Sequence, residues 1–295
     1  MGKQIQRSFA IGSNWVYYKI YTGHKTADTI LTEIIKPCSD KLLSKQIIDK
    51  WFFIRYADPN HHLRVRFFLK DPNDINILVS TLYRPLNDLM EQDLVWKIQL
   101  DTYQRELERY GLNTMEVSES LFYHDSEATV RFLDLIEGNE GENLRWLFGL
   151  RSINELLSGF KFSLDDKLEL MNYLKTGFGK EFGMSRPLKK QLDDKYRKER
   201  NSISSFLNFS QNENPDYAPI LSVLEYKQIA LEPIIEEILS LKNDKYDQLK
   251  LNNLLGSYIH MLMNRLFKSK NRLNEMVCYD FLFRYYKPQS ALSKK

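Results

Sequence analysis

The stretch Trp51–Lys70, WFFIRYADPNHHLRVRFFLK, decides how the first third of this chain folds. Two apolar runs rich in aromatic and β-branched residues flank a short Asp-Pro-Asn turn, the pattern of two strands joined as a hairpin. Arg55, Arg64 and Arg66 lie inside those runs. Alternate side chains of a strand share a face. His62, Arg64 and Arg66 therefore fall on one side, and His61, Leu63, Val65, Phe67 and Leu69 on the other. Arg64 and Arg66 then stand roughly 6.5–7 Å apart, with Arg55 expected across from them on the preceding strand. Like charges so placed repel. A compensating negative group is expected, either a protein carboxylate or a ligand. Guanidinium suits a planar carboxylate or phosphate. Spacing alone leaves both readings open: a ligand site, or a wet outer face whose arginines pair with local Asp or Glu.

Working outward, Trp15–Gly23 alternates as a strand. Ile30, Leu31, Ile34 and Ile35 follow at helical spacing, with a stop expected near Pro37. Asp74 is a candidate N-cap for a helix carrying Ile75, Leu78, Val79 and Leu82, and VWKIQLDTYQ reads as a closing strand. Beyond it, MEVSESLFYHDSEATVRFLDLI has Ser118 or Asp125 as candidate caps. ENLRWLFGLRSINELLSGF, SLDDKLELMNYLKTGFG, PIIEEILSLKN and LNNLLGSYIHMLMNRLF all carry helical periodicity. The polar segment Ser202–Pro219 reads as a loop or linker. The expectation is an α+β fold of one domain, residues 1–295. It has a mixed or antiparallel sheet in a β-rich part over about 10–110 and a largely helical part over about 115–290.

Composition narrows the function classes. The chain has 295 residues, 43% hydrophobic and 27% charged, and a net charge of +3. That balance gives little support to a nucleic-acid partner. The basic run Arg186–Arg200 is interrupted by Asp193 and Asp194 and reads as a solvated helix face. Two cysteines, Cys38 and Cys278, form no CxxC and no Cys/His cluster, so neither a metal site nor a disulfide framework is expected, and a reducing cytoplasm fits. No run is long enough for a membrane span. The N-terminus lacks the apolar core of a signal peptide and the Ser/Thr of a myristoylation signal. P-loop, GxGxxG, GxSxG, HExxH and EF-hand patterns are absent.

Two further constellations carry polar chemistry. In LDTYQRELERYG, Leu100–Gly111, a helix would pair Asp101 with Arg105 and Glu106 with Arg109, and would end at Gly111. Such a helix either delivers a carboxylate and guanidiniums into a cleft or is a surface helix laced with ion pairs. In GSYIHMLMNRLF, His260 and Asn264 share a helix face, with Ser257 near it. Imidazole suits proton transfer near neutrality, and Asn264 is placed to orient it, although a histidine in so apolar a pattern is more often part of a core.

Together, WFFIRYADPNHHLRVRF, DTYQRELERYG followed by MEVSESLFYHDS, and the late SYIHMLMNRL resemble the C-terminal domain of lantibiotic dehydratases, also found free-standing in thiopeptide-type bacteriocin pathways. The resemblance spans about Trp15 to Phe283. It implies a lyase without cofactor or metal. Such a module eliminates glutamate from glutamylated Ser or Thr of a precursor peptide, leaving dehydroalanine or dehydrobutyrine. A separate glutamylating subunit, drawing on glutamyl-tRNA, is the implied partner. The family's functional positions map onto Arg64, Arg66, Glu106, Arg109 and His260 as catalytic residues. Arg55, His62, Arg105 and Asn264 are the associated substrate-binding candidates. The same fold serves pyridine synthases, which perform a formal [4+2] cyclisation of two dehydroalanines. A third alternative is a non-catalytic scaffold for a leader peptide or partner enzyme. The oligomeric state and the precursor's identity are left open.

Overall fold

The computed structural model of the chain describes residues 5–136, 138–208, 210, 215–241 and 248–294. It forms two compact units, Met1–Leu135 and Ile136–Lys295. The architecture is α+β, with antiparallel sheets in the first unit and helices throughout the second.

The first unit runs β1 (Ser8–Phe9), β2 (Trp15–Thr22), α1 (Thr26–Thr29), a π-helical turn (Ile30–Ile35), α2 (Lys36–Ser44), β3 (Ile48–Ala57) and β4 (His61–Leu69). Then come α3 (Ile75–Glu91), β5 (Val95–Asp101), β6 (Tyr103–Gln104), α4 (Leu107–Tyr110) and α5 (Met115–Asp134). The main sheet has strand order β3-β4-β2-β5, all neighbours antiparallel, and β1 pairs with β6 separately. Alternation divides the main sheet sharply. Phe53, Leu63, Val65, Phe67, Val16 and Ile20 are almost wholly buried on one face, the core side. Leu78, Leu82 and Leu86 of α3 are buried too, at helical spacing. Edge strand β3 is covered by α5. The Phe53 N–H donates to the Ser126 hydroxyl at 3.2 Å, Trp51 Nε1 to Glu127 at 2.8 Å and Lys50 Nζ to Ser120 at 2.8 Å. Buried polar groups on α5 are therefore matched to polar groups of an exposed-edge strand, which removes a pairing surface.

Several local expectations change. The first helix does not stop at Pro37. Lys36 N–H bonds back to Leu31, five residues away, and Pro37 falls in the first turn of α2. There its missing N–H costs nothing. Asp74 occupies the N-cap position without a side-chain bond, while Asp71 accepts from the Asn73 N–H. Ser118 and Asp125 are inside α5, not at its start. The Ser118 hydroxyl donates to the Thr114 carbonyl at 2.7 Å.

The second unit comprises α6 (Gly138–Gly159), α7 (Leu164–Phe182), α8 (Arg186–Asn208), α9 (Ala218–Ser240), α10 (Gln248–Leu266) and α11 (Asn271–Ser293). The polar Ser202–Pro219 segment is mostly not a loop. Helix α8 runs on to Asn208, because Ile203, Phe206 and Leu207 bury on its inner face. Residues 209 and 211–214, and residues 242–243 of PIIEEILSLKN, are outside the described residues. The basic run on α8 is mainly exposed, as a solvated face should be. At Gly149 of α6 an added Cβ would meet Leu266 at 3.1 Å and Met263 at 3.3 Å, so α6 and α10 approach closely only because that residue is glycine. Arg145 of α6 donates to the Leu266 carbonyl at 2.7 Å, closing the end of α10. Among the described residues no helix is long and apolar enough to cross a membrane.

Helix α7 begins with a reciprocal capping box between Ser163 and Asp166. Ser163→Ala is expected to lower the stability of the second unit by about 1 kcal/mol, read by urea denaturation.

Candidate functional site

The register of β3, β4, β2 and β5 arranges the polar face of the main sheet in three rows. Phe52, Arg66, Tyr17 and Asp101 form one, Ile54, Arg64, Lys19 and Gln99 the next, and Tyr56, His62, Tyr21 and Lys97 the third. His62, Arg64 and Arg66 thus share a face, as strand alternation requires. Arg55 does not join them. It lies opposite Leu63 on the core face, nearly fully buried, and its Nη2 reaches Asp28 of α1 at 2.5 Å. The three-residue loop between Ala57 and His61 fixes this parity.

Arg66 is 8% exposed. Its guanidinium carbon lies 4.4 Å from the centroid of the Tyr17 ring, 5.0 Å from Tyr103 and 5.2 Å from Phe52. Among the described residues no carboxylate forms an ion pair with it, and its Nε has no hydrogen-bond acceptor. Burial lowers its pKa from the usual arginine value. The Tyr17 hydroxyl, in the same box, is also buried without a hydrogen-bond partner. Burial raises the Tyr17 pKa against the opposing pull of Arg66, Arg64 and Lys19, so its hydroxyl stays protonated and available as a donor. Two buried polar groups left unmatched in one place are expensive. A guanidinium and a hydroxyl donor together suit an anion.

Arg64 is held differently. The His62 Nδ1 lies 2.9 Å from the Asn60 carbonyl and must therefore donate to it. The Nε2 is left as an acceptor for Arg64 Nε–H at 3.1 Å. This is the neutral tautomer. Burial and the neighbouring Arg64 and Lys19 lower the His62 pKa, which favours that form. Arg64 also stacks on Tyr56 at 3.4 Å, and Tyr21 stacks on His62 at 4.6 Å. Lys19 is bound to Asp101, whose pKa is lowered by that contact.

Leu100–Gly111 is not one helix. Asp101 ends β5, and Tyr103 pairs with Phe9 across β6 and β1. This long-range pairing overrides the helical pattern, and only Leu107–Tyr110 is helical. Arg105 consequently pairs not with Asp101 but with Glu119 of α5, at 2.7 Å through Nε and 2.6 Å through Nη2. Glu119 also accepts from the Tyr103 hydroxyl at 2.8 Å, which fixes the wall of the Arg66 box. Glu106 and Arg109 do form their ion pair, at 3.1 Å and exposed to solvent, and Glu106 is within electrostatic range of Arg66. Gly111 ends the turn with φ +81°, and a Cβ there would meet the Thr114 hydroxyl at 2.8 Å. Only glycine satisfies both conditions.

In the second unit, His260 of α10 is oriented not by Asn264 but by Glu275 of α11. Nδ1 and the carboxylate are 2.9 Å apart. Glu275 is buried and also accepts from the Tyr279 hydroxyl at 2.8 Å. A carboxylate on Nδ1 fixes the ring and leaves Nε2 to exchange protons, the arrangement of a positioned general base or acid. The Asn264 main-chain carbonyl accepts from the Asn271 side-chain amide at 3.3 Å. Tyr17, Tyr103 and Glu119 around the arginines, and Glu275 on His260, are neighbours of the candidate residues that the sequence did not disclose. Each acquires its position from cross-strand register or from a distant helix, and no local motif marks them.

The contrast between the two buried arginines is measurable by urea denaturation. Arg105→Met leaves Glu119 buried and unpaired and is expected to cost about 3–5 kcal/mol. Arg66→Met removes an unmatched buried cation and is expected to be neutral or stabilising.

Known proteins share this architecture. The fold superposes on that of MibB, a tRNA-dependent lantibiotic dehydratase from Microbispora sp. 107891, with a TM-score of 0.75 and 20% identity over 96% of this chain and 29% of that one. It also superposes on TbtD, the pyridine synthase from thiomuracin biosynthesis, with a TM-score of 0.64 and 12% identity over 94% of this chain and 100% of that one. Subtilin biosynthesis protein SpaB of Bacillus subtilis is 26% identical over an alignment of 293 positions that covers 96% of this chain and 27% of SpaB, so the chain spans about a quarter of that relative. The family model described as the lantibiotic biosynthesis dehydratase C-terminal region matches residues 15–286. With that match running from the first strand of the main sheet into the last helix, the chain belongs to the lantibiotic dehydratase C-terminal family.

Proposed function

We propose that this chain is a lyase that eliminates glutamate from glutamylated Ser or Thr side chains of a ribosomally made precursor peptide. The observation that carries the reading is the buried Arg66 guanidinium, which has no carboxylate partner among the described residues, beside an unpartnered Tyr17 hydroxyl. A fold keeps so costly a pair where an anion is to be bound.

The reaction breaks the Cα–H and Cβ–O bonds of the modified residue, forms the Cα=Cβ bond, and releases glutamate as a carboxylate. It is redox-neutral and needs no cofactor. Three tasks follow: removing the Cα proton, stabilising enolate-like charge, and holding the departing acid. His260, oriented by Glu275, carries the proton transfer. Arg66 and Tyr17 take the carboxylate, and Arg64, held by neutral His62, stabilises developing negative charge. Glu106 and Arg109 form an exposed pair that trims the local field. Arg105 acts through Glu119 and Tyr103, and Arg55 secures β3 through Asp28. In this reading residues 1–295 serve as one elimination module, a glutamylating activity outside them supplies the substrate, and the reaction runs in the cytoplasm where glutamyl-tRNA is made. A cyclase joining two dehydroalanines has no glutamate to hold, so the anion site favours elimination. A scaffold would leave both arginines idle.

The test is incubation with a glutamylated precursor peptide, followed by mass. Loss of the glutamyl adduct is expected. Arg66→Ala and His260→Ala should each slow it by about a hundredfold or more. Wild-type rates in both variants would overturn the assignment. Loss of a leader from a dehydrated peptide would identify a cyclase, and an unchanged mass a scaffold.

A further inference from the structure

The main sheet has two edges, and they are treated differently. Strand β3 is covered by α5, as described. Strand β5 pairs only with β2 among the described residues. From Trp96 to Asp101 every residue of β5 is exposed or half-buried. The two faces of this open edge have opposite chemistry. On one face, Lys97 lies opposite Tyr21, one row from Lys19 and Arg64 and two from Arg66, with Asp101, bound to Lys19, as the main opposing charge. On the other, Ile98 and Leu100 form the floor of a groove of about 240 Å³ walled by Val79, Leu82, Tyr83 and Met90 of α3. Tyr83 is 62% exposed, Trp96 51% and Met90 40%.

We infer that β5 is the docking strand for the peptide substrate, which adds to the sheet as a further antiparallel strand carrying alternate acidic and apolar side chains. Backbone bonds to an open edge supply affinity without sequence, and alternate pockets supply selection. An added strand would present every second side chain to the cationic face and the rest to the groove. The excess of cations on that face calls for acidic side chains. A second copy of this chain fits poorly. Antiparallel pairing of β5 with itself extends the same face on both sides of the seam and brings cations toward cations. The inference rests on the elimination reading for the identity of the peptide as substrate, but not for its binding.

The experiment uses the full chain and a fluorescent heptapeptide of alternating Glu and Val, with no glutamylated residue and no partner enzyme. Two control peptides carry the same residues in blocks, or Lys in place of Glu. The alternating peptide is expected to bind at least tenfold more tightly than either control, by anisotropy. It should also slow amide hydrogen exchange selectively over residues 95–101. Tyr83→Glu with Met90→Glu should weaken binding at least tenfold. Equal binding of the blocked peptide, or protection elsewhere on the chain, overturns the proposal. So does protection of 95–101 that appears without peptide as protein concentration rises, which would assign the edge to a second copy. Because no glutamate is eliminated in this assay, a protein that fails to bind can still be active, and a protein that binds can still lack elimination activity.

Discussion

A strand cannot put two adjacent side chains on one face, and this constraint organises the first unit. Strand β4 uses its odd positions to build a core from Leu63, Val65, Phe67 and Leu69, and its even positions to carry His62, Arg64 and Arg66. A shift of one residue would drive three polar side chains into the core. The apolar set therefore enforces the register that aligns the polar set, and the polar face is as rigid as the core beneath it. Folding and site construction are one event here.

The arginines of the polar face are held by stacked rings rather than by ion pairs. Tyr56, His62 and Tyr21 hold Arg64 and one another, while Tyr17, Phe52 and Tyr103 enclose Arg66. Aromatic walls position a guanidinium without neutralising it. An acidic wall would hold it as well but would use up its charge. The carboxylates nearby are committed elsewhere: Asp101 is bound by Lys19, Glu106 pairs with Arg109, and Glu119, one layer away, is saturated by Arg105 and Tyr103.

Much of this was legible in the sequence, and the omissions have physical causes. Alternation in HHLRVRFFL disclosed the arginine face, and the strands flanking it, because the period of two is a local property. The Glu106–Arg109 pair and the Gly111 stop were likewise local. Arg55 was misplaced because the face it occupies depends on loop parity, which composition does not reveal. The closing strand read over residues 95–104 is present as β5 and β6, and the helix considered over Leu100–Gly111 keeps only Leu107–Tyr110, because Tyr103–Gln104 pairs with Ser8–Phe9, almost a hundred residues away. Glu275 was invisible because its pairing with His260 depends on how α10 and α11 pack.

The aromatic enclosure of Arg66 has a consequence for descent. Tyr17, Phe52 and Tyr103 would welcome a methionine or leucine at that position, and folding would gain from it. In the elimination reading proposed above, the demand for a bound anion is what keeps the arginine there. In a lineage released from that demand, position 66 drifts to a hydrophobe first, while the three rings, useful as core, persist around it. The box without its cation is then the mark of a descendant that has kept the fold and abandoned the chemistry.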